Sequence, residues 1–144
     1  MQYRLINRKL FVAAGLTLLL LASVSYGPSV SAAGNSVTKL TLSPSDPNVL
    51  VNGDKVTIHF SYTTTQPGGV RIFARPFVGN SAAPGYAASG AQVSPTGSGT
   101  GTQDFTITTG NVTVNRIRIQ MFNSAQSQLL FEVFVPVSYE FRTP

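Results

Sequence analysis

The 144-residue chain has no cysteine and no tryptophan, a single histidine, and charged residues at only 10% of its length. Without cysteine there is no disulfide, thiolate metal site, thiol nucleophile or lipid-modified cysteine anchor, so any core must hold the fold unaided. Proton transfer, nucleophilic attack and metal binding all need clustered ionisable groups. Here the carboxylates Asp46, Asp54, Asp104, Glu132 and Glu140 are scattered, and His59 sits between Thr57 and Ser61 with no acidic neighbour in sequence. No catalytic residue, metal or cofactor is therefore expected, and the chain does not read as an enzyme. Asp46, Asn52 and Asp54 carry oxygen atoms suited to calcium, but the calcium-loop pattern is absent and such residues are frequent in turns for their own sake.

Long apolar runs are also scarce. The one present, residues 10–24, follows Arg4, Arg8 and Lys9 and leads to the small-residue tail Val30-Ser31-Ala32. A positive start, an apolar middle and small residues before a cut form the three-part signal of a secretory leader. The run is shorter than the roughly 20 residues that cross a bilayer. Residues 1–32 are therefore expected to be a signal peptide cut after Ala32, with Ala33 as the alternative. Retention as an N-terminal anchor is the competing reading, because a bilayer can thin around a short span.

Residues 33–144 are then one domain. Three of the ten basic residues belong to the leader. What remains is Lys39, Lys55, Arg71, Arg75, Arg116, Arg118 and Arg142 against the five carboxylates, a slight positive excess. That balance gives no electrostatic case for nucleic acid or a membrane surface as partner. Only an uncleaved leader would touch a membrane. Pro144 follows an apolar strand with no hydrophobic tail after it. Free secretion, or residence in a periplasm, is the expected location.

Beyond residue 32 the apolar residues recur with period two and nowhere with helical spacing, so an all-β domain is expected. Strands are predicted over residues 37–42 (Thr38, Leu40 and Leu42 on one face), 49–51, 55–62, 70–78, 103–108, 114–122 and 129–141. Asn52-Gly53-Asp54, Gln66-Pro67-Gly68-Gly69 and Thr109-Gly110-Asn111 supply turns. Residues 79–102, dense in Gly, Ala, Ser and Pro, are predicted to be a long loop with a short strand near 91–93. Gly97, Gly99 and Gly101 lack the strand-turn-helix setting of a phosphate loop, so they read as a flexible connection.

About six or seven short strands, with turns roughly 8 to 12 residues apart, form the rhythm of an immunoglobulin-like sandwich. On that rhythm, and on phrases such as Pro67-Gly68-Gly69-Val70-Arg71-Ile72-Phe73, the chain resembles the immunoglobulin-like superfamily. More narrowly it resembles the fibronectin type III-like modules of bacterial secreted proteins. The resemblance implies an antiparallel β-sandwich of about seven strands, preceded by a signal helix. A membrane β-barrel is the rival fold, but it needs at least eight strands of about 9–11 residues, more than this chain can supply.

In such a sandwich the third, sixth and seventh strands adjoin in one sheet. Arg71, Phe73, Arg75 and Phe77 then lie beside Arg116, Arg118, Gln120 and Phe122, with Glu132 and Phe134 extending the face. Aromatics interleaved with guanidinium groups are enriched where proteins bind one another, which makes these residues the candidate contact site. The bland alternative is that each arginine lays its stem across a neighbouring ring and covers the sheet. The expected function is that of a secreted, non-enzymatic module for binding or extracellular structure. Its expected partner is an acidic protein patch, an anionic glycan or a second copy, although like charges disfavour symmetric pairing. A structural subunit assembling by exchange of the strand at residues 37–42 is the alternative, and a small secreted enzyme inhibitor a further one. Asn111-Val112-Thr113 matches a glycosylation acceptor, which matters only in a eukaryotic pathway.

Overall fold

The period-two pattern is realised as β-structure throughout residues 30–144, the part of the chain that the computed structural model describes. The strands in chain order are β1 (Val30–Ser31), β2 (Ser36–Ser43), β3 (Asn48–Val51), β4 (Val56–Thr64), β5 (Val70–Val78), β6 (Ser81–Ala82), β7 (Tyr86–Ala88), β8 (Val93–Ser94), β9 (Gly97–Ile107), β10 (Val112–Asn123) and β11 (Leu129–Arg142). No helix occurs among the described residues. The expected leader lies outside them except for its last three residues, of which Val30 and Ser31 pair with Glu132 and Phe131 of β11.

The strands form two sheets. One runs β1-β11-β10-β5-β6, with β3 also on β11 and β8 also on β5, and the other runs β2-β4-β9-β7. All pairs are antiparallel except β3 with β11. Alternation puts one face of each sheet on a shared core. From the first sheet come Ile72, Ile117, Ile119, Val133 and Phe141, and from the second Val56, Ile58, Phe60, Phe105 and Ile107, all buried. Phe105 bridges the layers, edge to face with Tyr139 at 6.4 Å and tilted against Phe141 at 6.3 Å. These are ring separations at which aromatic pairs attract beyond their burial.

The structure corrects the sequence reading in two places. The first is the face of β2, where the pairing with β4 shifts register between Thr38 and Thr41, at Lys39, whose φ is +52°. The shift changes the phase, as a bulge does: Val37 is buried, Thr38 is exposed, and Leu40 and Leu42 pack against the core. The second is the stretch 79–102, which is largely strand rather than loop. It contributes β6, β7 and β8, and β9 begins at Gly97. There Gly101 pairs with Phe60 and Gly99 with Tyr62. A Cβ added to Gly101 would stand 2.7 Å from the Phe60 ring, and one on Gly99 2.8 Å from that of Tyr62. Aromatic rings lying across the glycines supply the packing that these residues cannot, so a run that looks flexible is held as strand against β4.

Candidate binding face

Arg71, Phe73, Arg75 and Phe77 alternate with core residues on β5, so their side chains point away from the core, and Arg116, Arg118, Gln120 and Phe122 do the same on β10. The register sets Phe77 opposite Arg116, Arg75 opposite Arg118, Phe73 opposite Gln120 and Arg71 opposite Phe122. On the other side of β10, Arg118 faces Phe134 and Gln120 faces Glu132. The ten residues expected to form one surface therefore do share the outer face of one sheet.

That face is a half-buried mosaic. Phe73 meets Phe122 edge to face at 6.0 Å, and Phe77 meets Phe134 likewise at 5.4 Å. Guanidinium groups lie over three of the rings: Arg118 on Phe77 at 4.6 Å, Arg75 on Phe73 at 5.1 Å and Arg116 on Phe134 at 6.0 Å. Such stacking is worth about 0.5–1 kcal/mol at exposed sites and more as water is excluded. Phe77 points outward and is still only 6% exposed. The arrangement anticipated as mere coverage of the sheet is thus present, and it also fixes the orientation of the arginines.

The cations on this face lack carboxylate partners. Salt bridges among the described residues occur at Lys55–Asp104 (3.6 Å) and Arg142–Glu140 (2.8 Å), away from the four arginines. Glu132, the acidic group on the face, accepts a hydrogen bond from Gln120 Nε2 at 2.6 Å. Burial lowers the pKa of Arg75 from the ordinary arginine value; the Tyr86 side chain opposes that shift, and the Arg118 charge adds to it. Tyr86 belongs to β7 in the other sheet and reaches this face from its rim. The sequence reading missed it because it sits in the supposed loop. Its one signal was a large aromatic in an otherwise small-residue stretch.

The remaining singled-out residues have local roles. Asp54 Oδ2 accepts from the Val51 backbone N–H at 2.8 Å, and Asp46 Oδ1 from that of Ser138. Asn52 donates to the Gly110 carbonyl at 2.8 Å, and Asn111 Oδ1 accepts from the Thr143 N–H at 3.0 Å. These side chains close turns and hold chain segments together, as short polar side chains commonly do. His59 is exposed on the outer face of the second sheet, in a shallow groove with Lys39, Ser61, Thr100 and Thr102. No group of three or more His, Cys, Asp or Glu capable of holding a metal occurs among the described residues. The chain matches no known protein family model and no curated protein.

Proposed function

We propose that the chain is an exported, non-enzymatic module of the immunoglobulin-like type that works by binding, with the Arg/Phe face of the first sheet as its contact surface. Several observations support the fold part of this reading. The strand order β2-β4-β9-β7 lies across the core from β11-β10-β5, with β3 running parallel along β11. The four-strand sheet, and the run β11-β10-β5 within the seven-strand sheet, have the strand order expected of the two layers of that superfamily. The basic, apolar and small-residue parts of the leader support export.

The observation that carries the binding reading is the unanswered charge: four arginines on one aromatic-lined face, with no salt bridge to any of them among the described residues. Arginine and aromatic side chains held rigidly in this way lose little conformational freedom when a partner docks. The test is the double substitution Arg75→Glu, Arg118→Glu. It abolishes retention of the native partner in a pull-down from culture medium while leaving the far-ultraviolet spectrum of the folded domain intact. Undiminished retention removes the face from consideration.

One feature favours assembly by strand exchange as a second reading. β2 is the end strand of its sheet, pairs with β4 alone and has its register broken midway. Deleting residues 33–42 then stops oligomerisation, and a wild type that stays monomeric at millimolar concentration rules the reading out.

A further inference from the structure

β9 is an inner strand along only part of its length. Strand β7 covers its last residues, Phe105, Thr106 and Ile107. Ser89 extends that cover to Asp104, whose carbonyl accepts the Ser89 N–H and whose own N–H donates to Ser89 Oγ, both at 2.9 Å. From Gly97 to Thr102, β4 lies on one side and no strand on the other among the described residues. Successive residues of a strand aim their backbone groups at opposite neighbours, and Asp104 fixes the phase. Ser98, Thr100 and Thr102 therefore turn their N–H and C=O groups outward, where none has a partner among the described residues. Such an edge is a template for another strand, and proteins usually blunt it with a charge, a proline or a bulge. β2, at the opposite end of the sheet, has these devices in the bulge at Lys39, the lysine itself and the following Pro44. Residues 97–102 contain no charge and no proline, and their pairing with β4 runs without a register shift.

We propose that the free part of β9 pairs with its counterpart in a second copy of the chain, antiparallel about a two-fold axis at Thr100. Thr100 then faces Thr100 of the second copy and Ser98 faces Thr102, so every outward N–H and C=O of these residues gains a partner. Three features favour a second copy over a foreign strand. The segment is uncharged, so the like charges that disfavour symmetric pairing of the Arg/Phe face are missing, and hydroxyl side chains opposed across strands attract. The Tyr62 ring crosses Gly99 and its hydroxyl reaches on to the Pro95 carbonyl, which leaves little room on the inner face for a side chain opposite Gly99. In this register the opposite residue is Gly101 of the second copy, which has no side chain. Finally, β8 runs along β5 on the same side of the sandwich and leaves Val93 45% exposed, apolar surface for a neighbouring copy to cover. The pairing lies on the second sheet and stands whether or not the Arg/Phe face binds anything.

The chain has no cysteine, so Thr100→Cys tests the register directly. Opposed hydrogen-bonded residues have Cα atoms about 5.5 Å apart, a separation that a disulfide spans. Mild oxidation is expected to give a covalent dimer of Thr100→Cys and to leave Thr41→Cys, also exposed but on β2, monomeric. Sedimentation equilibrium over rising concentration is expected to show a monomer–dimer equilibrium in the wild type. Thr100→Lys and Thr100→Glu each weaken it by about tenfold or more, because like charges then meet across the axis. An equimolar mixture of the two restores dimers, and Thr41→Lys keeps the wild-type equilibrium. Urea midpoints near that of the wild type confirm that the variants fold. A wild type that is monomeric at the highest soluble concentration overturns the proposal, as does a mixture of folded variants that recovers no dimer, or a Thr100→Cys chain that crosslinks no faster than Thr41→Cys. If dimers survive both charges at Thr100 and disappear on deletion of residues 33–42, exchange of β2 is the mode of assembly instead. If the wild type stays monomeric while an alternating threonine–valine hexapeptide shifts the amide resonances of Ser98, Thr100 and Thr102, the edge takes a foreign strand and the second copy is ruled out.

Discussion

The ring of Tyr62 lies across the strand pair from Gly99, so close that a Cβ on the glycine would stand 2.8 Å from both its Cε1 and its hydroxyl oxygen. Phe60 covers Gly101 in the same manner, and the Tyr62 hydroxyl donates to the Pro95 carbonyl at 3.1 Å. Both rings are buried, so neither has a free direction in which to retreat. Gly99→Ala and Gly101→Ala should each destabilise the domain by about 1–3 kcal/mol, the usual cost of overpacking. Gly90→Ala, where a Cβ meets nothing within 4 Å, should stay within about 0.5 kcal/mol of wild type. Urea unfolding midpoints at unchanged slope measure all three.

Tyr139 makes the domain sensitive to alkali. Its side chain is buried and its hydroxyl donates to the Pro44 carbonyl at 2.6 Å. Burial, reinforced by the nearby Asp46 charge, pushes its pKa up from 10.0 to about 12. The folded state therefore keeps a proton that the unfolded chain releases near pH 10. The resulting stability is complete below pH 10 and is lost as the pH rises towards 12, up to about 2–3 kcal/mol from this group. Unfolding free energies measured between pH 8 and pH 12 should show that decline, and Tyr139→Phe should flatten it.

A second buried contact ties the first turn to the end of β4. Thr64 Oγ1 donates to Asn35 Oδ1 at 2.7 Å and accepts from the Gln66 N–H at 3.1 Å, and both Thr64 and Asn35 are buried. Thr64→Val keeps the shape and removes the hydroxyl, leaving the Asn35 oxygen and the Gln66 N–H unpaired. A loss of about 1–3 kcal/mol is expected. Thr64→Ser should restore most of it, and thermal unfolding of the two variants decides.

On the candidate face, Arg118 and Phe77 should be energetically coupled through their stacking. A double-mutant cycle with Phe77→Leu and Arg118→Gln is expected to return about 0.5–2 kcal/mol. A coupling near zero would mean that the guanidinium is not held by the ring, and with it would go the rigidity argument for the Arg/Phe face.

Much of the fold was legible because alternation over β4, β5, β10 and β11 leaves one choice of inward face. Val56, Ile58 and Phe60, and likewise Ile117, Ile119 and Met121, have no other way to avoid water. The outer-face residues of the candidate site follow from the same alternation, since a residue between two buried neighbours on a strand points the other way. The phase of β2 was not legible, because Thr38, Leu40 and Leu42 alternate as well as Val37 with its neighbours, and only the bulge at Lys39 chooses. Nor was the strand character of residues 97–102, because glycine has no side chain to carry a pattern and its packing is supplied by rings thirty or more positions away.

By itself the sequence determined the all-β class and the set of residues turned away from the core, both of which depend on residue type and local period. Tertiary structure alone decided which of those residues meet. Arg75 faces Arg118, Phe77 lies beneath Arg118, and Tyr86 comes in from the other sheet only because of how strands distant in sequence are ordered and registered. Pairing across 43 positions of chain, as between Arg75 and Arg118, is set by the packing of the whole core, and no local pattern encodes it.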